Sequence, residues 1–233
     1  MQSQVKAERM KMELITNVSH DLRTPLTSLL TYIDLLKKEG LHAEDAPRYL
    51  AVLEQKSLRL KVLTDDLFDA AKAASGTMAV NREKIDIVAL LAQGLGELAD
   101  KITASKLEFR VNMPSEPLGI FADGKLVWRA IENVLMNAIK YAVPESRVYV
   151  EAQAKGAEVE LIIKNVSALP LNMPPEELLE RFVRGDSARS SEGSGLGLSI
   201  AKSLLELQQG QLNIEIDGDL FKVIMTLPRW QEN

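Results

Sequence analysis

A change of hydrophobic period near residue 77 most limits what this chain can fold into. Before it, Leu14, Val18, Leu22, Leu26, Leu29, Ile33 and Leu36 recur every three or four positions, the mark of one buried helical stripe, and Gly40 follows as a stop. After a polar link over Leu41–Ala46, Pro47 stands in the first turn of a second predicted helix, whose stripe is Leu50, Leu53, Leu60, Leu63 and Leu67. Two helices of this length cannot cover both stripes alone, so a second copy of the hairpin is expected to complete a four-helix bundle in a homodimer. Around Ala73–Gly76 the pattern breaks into small residues. Beyond Met78 the spacing predicts strands near 78–85, 106–112, 147–155, 158–164, 211–216 and 220–227, and helices near 86–102, 124–142 and 195–208. The fold class is therefore α+β: a helical hairpin domain over 1–75, then over 78–230 an α/β sandwich with one mixed sheet covered on one face by helices. The polar stretch from Asn165 to Gly193 is longer than an ordinary connection and reads as a functional lid.

Several chemistries drop out at once. The chain has no cysteine, which removes disulfides, thiolate metal sites, iron–sulfur clusters and thiol catalysis, and its two histidines cannot build a His-rich metal site. A net charge of -5 gives no bulk attraction to nucleic acid or anionic lipid, so no nucleic-acid partner is expected. No stretch reaches the ~18 apolar residues of a membrane span. The first residues, MQSQVKAERMKMEL, lack the apolar run of a signal peptide and read as a helix entered without a cap. That reading predicts no membrane contact within the chain and a cytoplasmic portion of something longer.

Three constellations carry chemistry. His20 lies two positions after Val18 and two before Leu22, roughly opposite the buried stripe at about 100° per residue. Asp21 is adjacent, Thr24 stands one turn on, and Pro25 removes a backbone donor inside the helix. A carboxylate that keeps one ring nitrogen protonated leaves the other free to attack, although a solvated surface histidine has the same pattern. The second constellation is ENVLMNAIKY, Glu132 to Tyr141, with Asn133 and Asn137 four apart on one helix face, followed by Lys140 and Tyr141. Amide oxygens at Asn133 and Asn137 offer ligands to Mg²⁺ without adding charge, and Lys140 can meet phosphate; a polar helix face is the competing reading. The third is EGSGLGLSIAK, Glu192 to Lys202. Gly193, Ser194, Gly195, Leu196 and Gly197 form a loop whose backbone amides can approach phosphates at the start of a helix, and a dinucleotide loop shares that pattern.

Taken with their order, these strings resemble the boxes of bacterial two-component sensor histidine kinases. NVSHDLRTPLTS resembles the phospho-acceptor box, ENVLMNAIKY the N box, GSGLGLSIAK the G2 box, and RFVRGD, Arg181 to Asp186, the F box. The resemblance, which covers about Glu8 to Pro228, implies that His20 receives the γ-phosphoryl of ATP, that Asp21 is its base, and that Thr24 positions water for dephosphorylating a partner. It further implies that Arg184 reaches the γ-phosphate and that the partner is the receiver domain of a response regulator. It also implies a gyrase-like ATP-binding fold and a membrane anchor elsewhere in the full-length protein. In gyrase-like ATPases a glutamate that activates water occupies the position of Asn133, and an amide there cannot act as a base. His42, in the hairpin link, has no comparable surroundings. One box departs: where the family has Asp-x-Gly-x-Gly to read adenine, this chain has Asn165-Val166-Ser167-Ala168-Leu169. Asn165 keeps an acceptor oxygen, while the loss of both glycines is expected to stiffen the lid entrance. The alternative is a non-catalytic dimeric scaffold that only recruits a regulator.

Overall fold

The computed structural model describes residues 22–38, 44–75, 78–179 and 195–230, and the chain divides into two compact units, Met1–Asp69 and Ala70–Asn233. In the first unit, helix α1 covers the described residues 22–38; α2, Ala46–Ser75, begins in that unit with Pro47 in its first turn and runs on past Asp69. Tyr32 of α1 packs against Tyr49 of α2 in a tilted pair with ring centroids 5.6 Å apart, which pairs the helices next to their link. Ala46, Tyr49 and Leu63 are buried. Much of the predicted stripe is not: Leu26, Ile33 and Leu50 are exposed, and so are Leu30 at 61% and Phe68 at 62%. A single hairpin leaves this apolar face uncovered, as its arithmetic requires.

The second unit holds β1 (Glu83–Asp86), α3 (Ile87–Glu97), α4 (Ala99–Ser105), β2 (Glu108–Asn112), β3 (Gly119–Ala122) and α5 (Gly124–Tyr141). It continues with β4 (Arg147–Lys155), β5 (Glu158–Val166), α6 (Pro175–Leu178), α7 (Gly197–Glu206), β6 (Gln211–Asp217) and β7 (Leu220–Pro228). The main sheet is mixed, in the order β2-β4-β5-β7-β6, with β2 parallel to β4 and the other pairs antiparallel. Alternation sets its two faces. Val148 and Val150 of β4, Leu161 and Ile163 of β5, and Val223 and Met225 of β7 point inward and join one core with Leu91, Ile131, Leu135, Ile200 and Leu204 of the helices. The other face is laced with cross-strand ion pairs, Lys164 to Glu151 at 2.8 Å, Lys222 to Glu215 at 2.9 Å and Lys155 to Glu160 at 2.6 Å. The Lys155 ammonium on Glu160 holds that carboxyl below its usual range, with a second hydrogen bond from Gln153.

Three local expectations need correction. The strand predicted near 78–85 is confined to Glu83–Asp86, and it pairs with a strand the periodicity does not show, Gly119–Ala122, in a separate two-stranded sheet. Four residues opening on a glycine are too few to display a period. The helix predicted near 86–102 is two helices, broken at Leu98 (φ -89°, ψ 1°) just beyond Gly94 and Gly96. The helix predicted near 195–208 begins at Gly197, so Gly195 precedes it. The core residues of α3 and α5 meet closely: Gly94 lies under the Trp128 ring, where a Cβ would come within 2.0 Å.

Candidate functional site

Helix α5 carries the site because it is fixed at its start and buried along one side. Asp123 caps it, accepting from the amides of Lys125 and Leu126 at 3.0 and 3.3 Å and, through its other oxygen, from Asn81 at 2.9 Å. The end of α7 is tied to the same place: Gln208, buried, accepts from the Asp123 amide at 2.6 Å and donates to the Leu204 carbonyl at 3.0 Å. Asp-Gly before an apolar period is a legible start signal for α5. Nothing in the sequence marks Gln208 as the clamp.

At about 100° per residue, Asn133, Asn137 and Lys140 fall within roughly 60° of one another on α5, at the border of the stripe formed by Val127, Ala130, Ile131, Val134 and Ala138. Asn133 faces the first residue of α7: its Oδ1 is 3.4 Å from where a Cβ on Gly197 would stand. Its Nδ2 is buried and has no hydrogen-bond partner among the described residues. A half-turn of the amide exchanges the two atoms, so this spot can present a donor to a phosphate oxygen or a neutral oxygen to a cation. Beside it, no side chain among the described residues caps the first turn of α7, whose early amides face out of the helix start as an anion site requires. The approach to that turn uses Gly195 with φ +66°, a left-handed conformation that favours glycine. Leu196 is buried, and its carbonyl accepts from the Ser199 hydroxyl at 2.8 Å and the Ile200 amide at 2.8 Å.

At the other end of α5, Lys140 donates to the Tyr141 hydroxyl at 2.8 Å, and its ammonium sits 4.6 Å from that ring's centroid. Asn165 stands where β5 reaches this end, with Val148 and Phe221 as register partners. It is buried to 3% exposure. The chain after it is fixed by backbone bonds: the amide of Val143 to the Val166 carbonyl at 2.9 Å, Ser167 to Asp219 at 2.7 Å, and Ala168 to Tyr141 at 2.8 Å. Ser167 folds on itself, its hydroxyl donating to the Leu169 carbonyl at 2.8 Å and accepting from the Leu169 amide at 3.2 Å. A serine turn thus occupies the place of the glycines, a role the residue type alone does not announce.

The structure brings Asn133 to Gly197, with Asn137 next on the same edge of α5, and places Tyr141 and Asn165 at one end of that helix. Thr24 is exposed on α1, in the other unit. His20, Asp21, Arg184, Gly193 and Ser194 lie outside the described residues. Among the described residues no group of three or more acidic, His or Cys side chains could hold a metal, so a cation at this site would rely on the two amides and on the anion it accompanies. No helix among the described residues is long and apolar enough to cross a membrane.

Known proteins share both halves. Residues 10–76 match the family described as the His Kinase A (phospho-acceptor) domain, and residues 122–231 match the histidine kinase-, DNA gyrase B-, and HSP90-like ATPase family. The sensor histidine kinase WalK of Bacillus subtilis is 31% identical over 239 residues, an alignment that takes in 98% of this chain and 38% of WalK. The sensor protein VanS of Enterococcus faecium is 29% identical over 225 residues, covering 95% of this chain and 58% of VanS. The chain therefore spans well under two thirds of either relative. In fold, it resembles histidine kinase ThkA as solved in complex with the response regulator protein TrrA, with a TM-score of 0.71 at 18% identity, over 96% of this chain and 64% of that one.

Proposed function

Because this chain belongs to the two-component sensor histidine kinases, carrying the phospho-acceptor and ATPase domains of their catalytic portion, we propose that it is an ATP-dependent protein-histidine autokinase whose acceptor is His20. The observation that carries this reading is the buried, unpaired amide of Asn133 held against the uncapped start of α7. A polar group left without a partner in a packed interior costs free energy, and a triphosphate lying along α7 supplies the missing partner.

In the proposed reaction a nitrogen of His20 attacks the γ-phosphorus, the bond to the β–γ bridging oxygen breaks, and ADP leaves with that electron pair. Asp21 orients the ring and, as its base, takes the proton from the other ring nitrogen as the N–P bond forms. Asn133 and Asn137 would hold Mg²⁺, which when bound neutralises the phosphate oxygens, and Lys140 and Tyr141 flank the same channel. The loop of Gly193, Ser194, Gly195, Leu196 and Gly197 cradles the phosphates, Arg184 neutralises the γ-phosphate, and Asn165 meets the base. Since Asn133 is an amide and not a carboxylate, nothing at that position deprotonates water, which favours histidine as the acceptor.

The phosphoramidate then passes to an aspartate on the receiver domain of a response regulator, with Thr24 positioning water in the reverse, phosphatase sense. The TrrA complex of ThkA supports a partner of this class. A second copy of the chain covers the apolar face of α1 and α2. The division into 1–75 and 78–230, and the placement of the chain as a cytoplasmic part of a longer, membrane-anchored sensor, belong to the same proposal; the share of WalK and VanS that the chain spans supports it.

The test is incubation with γ-labelled ATP and Mg²⁺, followed by acid and alkali treatment. The expected label is acid-labile and alkali-stable, disappears in His20→Gln and persists in His42→Gln, with ATP binding unchanged in both. A label that survives in His20→Gln overturns the assignment. Loss of ATP binding together with the label in the parent favours the scaffold reading, to which the departure at Asn165 lends its one observation.

A further inference from the structure

Asn165 ends a row of inward-facing residues on β5, after Val159, Leu161 and Ile163, and it is the only polar member of that row. Only 3% of the residue is exposed. The strand end is fixed by main-chain bonds to Val143, Tyr141 and Asp219, so the amide is positioned by backbone and not by a side-chain network. Helix α5 acts as a ruler between this end and the phosphate end. From Asn133 to Ala142 is nine residues, about 13 Å at 1.5 Å per residue. A nucleoside triphosphate with its phosphates at the start of α7 therefore brings its base to Asn165.

An amide carries a donor on one atom and an acceptor on the other, and a half-turn exchanges them. Against a 6-aminopurine, Oδ1 accepts from the exocyclic amine while Nδ2 donates to N1. Against a 6-oxopurine, whose N1 carries a hydrogen, the turned amide donates from Nδ2 to O6 and accepts at Oδ1 from N1–H. Both purines satisfy it with two bonds. A carboxylate at the same place only accepts, so it matches the amine and confronts O6 with negative charge. We propose that this site takes 6-oxopurine nucleoside triphosphates as well as ATP, and that Asn165 is the residue that sets this tolerance. The inference rests on the nucleotide reading above.

The experiment is calorimetric titration of the full chain, of Asn165→Asp and of Asn165→Leu with ATP, inosine triphosphate and GTP in Mg²⁺. The parent is expected to bind ATP and inosine triphosphate within about threefold of each other. Asn165→Asp keeps ATP affinity and loses at least tenfold for inosine triphosphate. Asn165→Leu weakens both at least fivefold, and any gap between GTP and inosine triphosphate measures the room for the 2-amino group. The parent ratio needs no variant, so misfolding of one leaves the test intact. A parent that rejects inosine triphosphate tenfold or more, while Asn165→Leu still weakens ATP, overturns the tolerance and keeps the base at Asn165. Identical affinities in all three proteins overturn the placement of the base itself, and absence of binding by every nucleotide overturns the proposed function.

Discussion

Replacing Asn133 by leucine is expected to make the nucleotide-free protein more stable while abolishing its chemistry. Leucine nearly matches asparagine in shape, so the space beside Gly197 stays filled. The substitution removes a buried Nδ2 that has no partner, a group whose desolvation costs about 1–3 kcal/mol. Leucine is also the better helix former, by up to about 0.7 kcal/mol. Since no hydrogen bond of the Asn133 side chain exists among the described residues, none is lost. For a unit of this size each kcal/mol moves the melting temperature by about 2–4 °C, so the two gains together give an expected rise of about 2–15 °C. The same change takes from the phosphates a preorganised polar contact of a kind worth about 10²–10³ in rate. Differential scanning calorimetry without nucleotide, run beside the labelling assay, reads both quantities. A melting temperature that stays level or falls, or labelling that survives within tenfold, refutes the idea that Asn133 is held unsatisfied for a ligand.

Two further outcomes follow from local geometry. Gly195→Ala forces a side chain into φ +66°, at a cost of about 1–2 kcal/mol. Because Gly195 leads into α7, ATP affinity should fall at least fivefold, whereas Gly218→Ala, at φ +57° in open space, should lower only the melting temperature. Glu160 is held below its usual range by Lys155, so its folded pKa lies under the unfolded one. Its contribution is present above the ordinary carboxylate range near ~4.3 and is lost as the pH falls through the folded value. Urea melts of the parent and Glu160→Gln should therefore differ most near neutrality and converge as the pH falls through the folded value; a gap that widens on acidification contradicts the pairing.

The sequence was most readable where one physical signal dominated. The stripe of α2 and the alternation in β4, β5 and β7 are periods long enough to see, and the structure has those elements within a residue or two. Asn133 and Asn137 stood out because asparagine is a poor helix former placed twice on one face. Gly119–Ala122 was invisible because four residues make no period. Gln208, by contrast, acts through a contact 85 residues away in the chain, which local pattern does not record. The serine turn at Ser167 was readable as a departure and not as a structure: the missing glycines mark the place, and the two hydrogen bonds between Ser167 and Leu169 are what the structure adds.

Helix α5 and the end of β5 bear on the same channel under unlike constraints. On α5 each site residue has core residues as chain neighbours, so Asn133 and Asn137 cannot drift without disturbing Val134, Leu135 or Ala138. At Val166, Ser167 and Ala168 the segment is held by amide and carbonyl groups, which every residue except proline supplies in full. Mutation can therefore rewrite side chains there while the path of the chain persists. In the proposed reading the base meets this backbone-held segment, and it is there that the sequence departs from the Asp-x-Gly-x-Gly pattern.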